Sequence, residues 1–136
     1  MLGGEEAALS DEERLEGINS VLERLRSLSA DHVILVEGVN DRRALVALGV
    51  RGDYFMMQCS GGPVRAVEYV EGHGGRAVVM TDWDRRGDNL AQTIRRLTAG
   101  SNDVDFSVRG DIFHLCARYV RDVESLDSLV RRLSTQ

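Results

Sequence analysis

The sequence contains no lysine: all 17 of its Lys and Arg residues are arginines. This absence excludes a nucleotide-binding P-loop, which uses a Lys to contact the β- and γ-phosphates and whose GxxxxGK[ST] string is missing as well. It also argues against α/β phosphate-transfer proteins whose strand-end Asp works with a nearby Lys. Any mechanism that needs a lysine is therefore excluded.

Cysteine and proline are equally scarce. Cys59 and Cys116 stand far apart, with no CxxC pair and no His at ligand spacing, so neither a disulfide framework nor a zinc site is expected. Pro63 is the only proline, and 43% of the 136 residues are apolar while 29% are charged. This composition is typical of a single globular domain.

Long apolar segments are missing too. No apolar run approaches the roughly 20 residues that span a bilayer, and the acidic start of the chain lacks the basic and apolar regions of a signal peptide. We therefore expect a cytoplasmic protein with no membrane partner.

The sequence predicts an amphipathic helix ahead of the main domain. Ser10 and Glu13 form the pattern of a capping box, and apolar residues follow at helical spacing. We expect residues 1–8 to be flexible, residues 9–30 to form a helix packed on the core, and residues 31–136 to form one domain. The apolar positions of the helix are Leu15, Ile18, Leu22 and Leu25.

Strand and helix patterns then alternate about four times. Such alternation is typical of a parallel α/β sheet with right-handed crossovers, flanked by helices on both faces. The predicted strands are residues 33–36, 54–59, 77–80 and 104–108. The predicted helices are residues 41–48, 64–70 and 88–97, with one or two more after residue 111.

Carboxylates follow two of the predicted buried strands. Glu37 closes the run HVILVEG, while Asp82 and Asp84 close the run RAVVMTDWD. The crevice beyond the carboxyl ends of parallel strands is where open sheets bind ligands. Two acids one residue apart point to the same side of extended backbone, and hard oxygen ligands suit Mg²⁺ or Mn²⁺. The pattern predicts a divalent-metal site.

Further residues near these acids are candidates for supporting roles. Gly38 and Gly87 would let the backbone approach a ligand closely. Asp41 and Asp88 lie where the next helices start, so each either caps its helix or supports the metal. Helix capping alone is the alternative explanation for all of the acids.

Four arginines flank the two acidic segments and are candidates for binding phosphate. The chain as a whole has a net charge of −5 and a pI of about 5.2, so it is not a broadly basic nucleic-acid-binding protein. A bound cation and a local arginine cluster would have to overcome that repulsion. The four residues are Arg42, Arg43, Arg85 and Arg86.

The acidic segments resemble the Toprim domain that topoisomerases, bacterial primases, overcoming-lysogenization-type nucleases, recombination mediators and ribosomal-RNA maturases share. VILVEGVND is similar to the first motif of that family and VVMTDWDRRGD to the second, and the resemblance covers about residues 32–108. The TDWD core and the DVESL segment at residues 122–126 are similar to small stand-alone Toprim proteins of archaea.

This resemblance implies a Toprim-like Rossmannoid three-layer sandwich of about four parallel strands. It implies that Glu37 is the catalytic acid/base and a metal ligand. Asp82 and Asp84 would bind one or two Mg²⁺ ions, for which Mn²⁺ can substitute. Asp41 and Asp88 would support these ligands. The expected activity is that of a small nuclease acting on phosphodiester bonds of DNA or RNA. The chain is too short for a complete topoisomerase or primase.

Two other functions stay open at this point. One is a non-catalytic, metal-dependent module that binds nucleic acid or a partner protein inside a homodimer or larger complex. The other is a small-molecule phosphotransferase or phosphatase, because acidic pairs at strand ends also serve that chemistry.

Overall fold

A short parallel sheet forms the centre of the protein in a computed structural model, which describes residues 9–99, 101 and 103–135. The expectation of a flexible segment at residues 1–8 lies outside the described residues. The strands have the order β2-β1-β3-β4, and all neighbours are parallel. They are β1 (Val33–Val36), β2 (Asp53–Met56), β3 (Ala77–Val79) and β4 (Val104–Asp105).

Helices fill the connections between the strands. In chain order they are α1 (Asp11–Leu28), α2 (Val39–Ala47), α3 (Met57–Ser60), α4 (Gly62–Glu71), α5 (Arg85–Leu97), α6 (Ser107–Cys116) and α7 (Leu126–Ser134). A 3₁₀ turn, Val123–Ser125, precedes α7. In the described part of the chain, no helix combines the length and apolarity needed to cross a membrane.

The helices cover both faces of the sheet. Helices α1, α2, α6 and α7 pack on one face and α4 and α5 on the other. Strand β1 is buried along its whole length: Ile34 and Val36 face the α1 side, while Val33 and Leu35 face the α4 side. This explains its uninterrupted apolar run. The predicted α/β fold, with four parallel strands between helices and an N-terminal helix, is confirmed.

The order of the strands creates a switch point between β1 and β3. These strands are neighbours, but β1 continues into α2 on one face while β3 continues into α5 on the opposite face. A crevice opens at the carboxyl ends of two strands whose connections leave in opposite directions. Both acidic segments follow these two strands.

The N-terminal helix begins as its sequence predicts. The Ser10 side chain accepts a hydrogen bond from the Glu13 N–H (3.0 Å), and the Glu13 carboxylate accepts one from the Ser10 N–H (2.9 Å). This capping box satisfies two N–H groups at the start of the helix. Ile18, Leu22 and Leu25 are then buried against the sheet, which ties α1 to the core.

Two predicted strands end three residues early, and the third strand ends one residue early, at Val79. The second ends at Met56 rather than residue 59, because the chain enters α3 and the Gln58 N–H donates to the Glu37 carbonyl (2.9 Å). The fourth ends at Asp105, whose carboxylate accepts the Val108 N–H (3.0 Å) and starts α6. At the fourth strand a local side-chain bond starts the next helix, whereas at the second a backbone bond to the end of β1 accompanies the entry into α3.

The two helices that follow the acidic segments begin earlier than predicted. Helix α2 starts at Val39, directly after Gly38, and α5 starts at Arg85 because Asp84 caps it. Each acidic segment therefore lies in the turn that connects a strand to the helix that follows it.

Candidate acidic site at the sheet edge

The two acidic segments meet at the carboxyl edge of the sheet. Glu37 directly follows β1, and one of its carboxylate oxygens accepts the N–H of Asp82 (2.8 Å), which lies just beyond β3. This hydrogen bond joins the predicted first and second motifs across the switch point. Glu37 is 3% exposed, so its carboxylate is held inside the protein.

A small cavity opens beside this contact, with a volume of about 130 Å³. Four carboxylic acids line it: Glu37, Asp41, Asp82 and Glu124. Asn40 and Gln58 add polar groups to the same wall. Since a water molecule occupies about 30 Å³ in the liquid, the cavity has room for an ion and a few waters but not for a nucleoside.

A backbone N–H group holds one oxygen of each of the principal acids. Such hydrogen bonds fix the orientation of a carboxylate and leave its second oxygen open. In the part of the chain that the structure describes, that second oxygen accepts no hydrogen bond. The pairs are Glu37 with Asp82 (2.8 Å), Asp41 with Gly38 (2.9 Å), Asp82 with Val123 (2.8 Å) and Asp84 with Gly87 (2.7 Å).

The acids disfavour one another's charge. Burial raises the pKa of Asp82 to about 6, and the charge of Glu37 adds to the effect against the Val123 hydrogen bond. Burial likewise raises the pKa of Asp41 to about 6, with the charge of Asp82 adding to it. The pKa of Glu37 is also raised, chiefly by burial. A cation placed among these groups would relieve this repulsion.

These shifts predict how stability depends on pH. An acid whose pKa is raised by folding stabilises the fold fully below its ordinary pKa and loses that contribution as the pH rises through the folded value. We therefore expect the melting temperature without metal to fall between about pH 4 and pH 6. Differential scanning fluorimetry in EDTA would measure the fall. The fall in melting temperature should be smaller in Asp41→Asn and should persist in Asp111→Asn. An Asp41→Asn protein whose melting temperature changes with pH as the parent's does would contradict the argument.

Asp84 lies at the rim of this site. It is exposed, it is not part of the cavity wall, and its carboxylate caps α5 through the Gly87 N–H. Its charge still contributes to the raised pKa of Glu37 and of Asp82. The capping explanation thus holds for Asp84 and for Asp41, which binds the Gly38 N–H in the first turn of α2.

The side chains of the cavity have the donor atoms that a metal ion requires, but they do not yet converge on a common point. Within residues 9–99, 101 and 103–135, no three His, Cys, Asp or Glu side chains converge closely enough to hold a metal ion. The cavity nevertheless carries only oxygen donors among its charged groups, which is the ligand set of Mg²⁺. Binding would require the open oxygens to turn toward a common point.

Asp88 has a different partner from the one expected. It is exposed and pairs with Arg109 of α6 (2.6 Å), so its carboxylate is engaged away from the other acids. Arg109 also donates hydrogen bonds to the carbonyls of Thr81 (2.9 Å) and Asp82. Arg109 therefore fixes the backbone of the second acidic segment, and no local motif marks it, since 27 residues separate it from Asp82.

Removing this arginine should loosen the site. Arg109→Ala leaves two carbonyls without their donor, and we expect a loss of about 1–3 kcal/mol in the free energy of unfolding. Arg109→Lys should recover little, because an ammonium lacks the planar fork that serves three acceptors. Urea denaturation would measure both. Arg24→Ala, which removes a surface ion pair with Asp111, is the control, and equal losses in Arg24→Ala and Arg109→Ala would contradict this role.

The four flanking arginines are all exposed, and the structure separates them. Arg86 is the one that reaches the acids, with its Nε 3.7 Å from the Glu37 carboxylate. Arg43 binds Asn40 (3.2 Å), and Arg42 lies 5.7 Å from the ring of Tyr54. Arg85 lies with Arg86 on the first turn of α5.

The two glycines are needed for contacts within the protein. A Cβ on Gly87 would overlap the carbonyl oxygen of Asp82, and one on Gly38 would lie 2.7 Å from the Gln58 side-chain oxygen. Gly87 thus allows α5 to pack against the second acidic segment. This close approach is to backbone, which cannot move aside as a side chain can.

The C-terminal segment supplies a part of the site that the strand-end pattern missed. Glu124 lines the cavity, and the Val123 N–H holds Asp82. Asp122 caps the 3₁₀ turn by accepting the Ser125 N–H (3.0 Å) and adds negative charge near Asp82. The DVES sequence locally indicates a helix start, and its resemblance to small stand-alone Toprim proteins did not indicate that it lies beside the strand-end acids.

The fold and site define a class: parallel α/β proteins with an acidic crevice at the switch point of the sheet. No family model matches the chain. The UPF0292 protein of Methanocaldococcus jannaschii is 31% identical over 122 residues, which cover 89% of this chain and 95% of that protein. The UPF0292 protein of Methanosarcina barkeri is 31% identical over 122 residues, covering 88% and 85% respectively. The chain belongs to the UPF0292 family.

A solved structure shares the fold. A protein from Aquifex aeolicus superimposes with a TM-score of 0.66 at 22% sequence identity, covering 79% of this chain and 95% of its own. The likeness supports the arrangement of the sheet and helices and carries no information on activity.

Proposed function

We propose that this is a Toprim-type protein that binds Mg²⁺ and cleaves phosphodiester bonds of nucleic acids, as a small nuclease. The observation that carries the proposal is the contact between Glu37 and Asp82 beyond two adjacent parallel strands, beside a cavity lined by four acids. Acids whose pKa values are raised by burial, with neighbouring carboxylates adding to the effect, are a common feature of functional sites.

Glu37, Asp82 and Asp84 are the proposed metal ligands, each through the oxygen that no backbone N–H holds. Asp41 and Glu124, which line the same cavity, support them. A divalent ion, or a pair of ions, supplies charge stabilisation to the oxygens of a reacting phosphate. Mn²⁺, which takes the same oxygen ligands, should replace Mg²⁺.

The chain's own residues supply the remaining functions. Glu37 is positioned to take a proton from the attacking water, and its raised pKa suits it to hold and release that proton. Arg86, 3.7 Å from Glu37 and otherwise exposed, is placed to bind a phosphate oxygen. Arg109 acts on neither water nor phosphate but keeps Asp82 in position.

Isothermal titration calorimetry with Mg²⁺ tests the metal site directly. We expect Asp82→Asn to weaken binding by at least about tenfold, because a charged ligand is lost. Asp111→Asn, on the exposed side of α6, should bind as the parent does. Equal affinity in Asp82→Asn and the parent would refute the site, whereas metal binding without cleavage of any DNA or RNA would favour the non-catalytic module.

The proposal includes a cytoplasmic location and nucleic acid as the partner. Cys59 is exposed and Cys116 buried, and both thiols are free, which fits a reducing compartment. A homodimer or larger complex is also part of the proposal, and light scattering of the purified protein would establish its state of assembly.

A further inference from the structure

Two grooves flank the acidic cavity, and they differ in charge. The α2-side groove has a volume of about 450 Å³ and adjoins the cavity, with which it shares Asn40 and Glu124. Ala44 and Ala47 form its small-residue floor. A volume of this size is within the range of small-molecule sites and exceeds the cavity itself.

The α2-side groove carries one acid, Glu124, that has no ion pair among the described residues. Glu124 and Asp127 line it, and Arg43 is the one basic residue among its described lining. Arg131 lies 3.6 Å from Asp127, which leaves Glu124 facing the groove without an ion pair in the described residues. Asp122 caps the 3₁₀ turn that carries Glu124. A phosphate entering the groove would lie close to the negative charge of Glu124.

The α5-side groove has the opposite character. Its volume is about 420 Å³, and Arg85, Arg86, Asn89, Leu90 and Thr93 line it, with no acid among them. Arg86 connects it to the cavity through its approach to Glu37. Asp88, in the first turn of α5, is neutralised by its ion pair with Arg109. Arginine beside an apolar floor suits a phosphate and the sugar or base attached to it.

We propose that the site recognises the end of a single strand. The phosphates of the strand run along the α5-side groove, the terminal phosphodiester occupies the acidic cavity, and the last nucleoside fills the α2-side groove. A strand that continued past this groove would bring its next phosphate against the unpaired carboxylate of Glu124. The inference rests on the proposed function and narrows it to removal of terminal units.

The reaction is an ordinary hydrolysis. The water oxygen forms a bond to phosphorus, and the bond between phosphorus and the oxygen of one flanking sugar breaks. One proton of the water passes through Glu37 to the leaving sugar oxygen, and the other stays with the new phosphate. No oxidant or further reactant is needed.

A linear single strand and a covalently closed circle of the same sequence distinguish end recognition from internal cleavage. With Mg²⁺, we expect the linear strand to be shortened from one end and the circle to be cut at least about tenfold more slowly. Cleavage of the circle at the rate of the linear strand would overturn end recognition and leave the proposed function standing. Absence of Mg²⁺-dependent cleavage and of binding for both forms would overturn both.

Binding gives a readout independent of turnover. Fluorescence anisotropy with the Glu37→Gln protein should show tighter binding of the linear strand than of the circle. Adding Arg85→Ala to that protein should weaken binding of the linear strand, whereas adding Arg51→Ala, at the opposite edge of the sheet, should not. Adding Glu124→Gln and Asp127→Asn should reduce the difference between the affinity for the circle and the affinity for the linear strand. Equal affinity for both forms before these acids are changed would contradict the proposal.

Discussion

Glu37→Gln should abolish Mg²⁺-dependent cleavage while raising the melting temperature of the metal-free protein. Removal of a positioned acid/base typically costs about 10²–10⁴-fold in rate, and here the same residue is also a proposed metal ligand. Glutamine keeps an oxygen that can accept the Asp82 N–H, so the contact between the two segments survives. It also removes a charge that raises the pKa of Asp82, which relieves repulsion in the folded state.

The measurement is cleavage of labelled single- and double-stranded DNA and RNA, with a thermal melt in EDTA on the same preparations. Glu68→Gln, exposed on α4 beside Arg65, is the matched control and should behave as the parent in both. Cleavage that survives in Glu37→Gln would show that a contaminant or another site is responsible. A lower melting temperature would show that the acid stabilises the fold rather than straining it.

Gly87→Ala should produce the second large effect, on stability and metal binding together. The added Cβ would overlap the carbonyl oxygen of Asp82, so α5 or the second acidic segment must shift. Overpacking of this kind costs about 1–3 kcal/mol, and more when backbone is the obstacle. Because Asp82 and the α5 cap Asp84 both lie beside the overlap, their spacing would change as well.

Gly110→Ala provides a matched comparison. Both glycines lie in helices at negative φ, but a Cβ on Gly110 meets nothing within 4 Å. Gly110→Ala should therefore stabilise the protein by about 0.5–1 kcal/mol through helix propensity. Urea denaturation and calorimetry with Mg²⁺ would follow both variants. A Gly87→Ala protein as stable as the parent would show that the close approach is not a constraint.

The sequence allowed the main elements to be predicted because their signals are local. The run at residues 33–36 is buried on both faces, so its apolar character alone identifies a strand. Ser10 and Glu13 mark the first helix through a contact three residues apart. Glu37 and Asp82 were placed together because strand ends in a parallel sheet share an edge.

The remaining features depend on contacts that no local pattern encodes. The helical turn of α3 follows from the bond between Gln58 and Glu37, 21 positions apart in the chain. Arg109 reaches the site from α6, and Glu124 reaches it from the C-terminal segment. The period-2 spacing of Asp82 and Asp84 did not reveal that α5 begins directly after Asp84, so the capping contact of its side chain with the Gly87 N–H emerges only from the structure.

Asp82 is held at three points, each by a different part of the chain. Its N–H meets Glu37, its side chain meets Val123 and its carbonyl meets Arg109, at sequence separations of 45, 41 and 27 residues. Contacts so distant in sequence form only after long loops have closed. A nascent or partly unfolded chain would therefore expose the acids singly, as weak and solvated groups. The acidic site therefore exists only once the native topology is complete, because the same long-range contacts that close the fold also bring its carboxylates together.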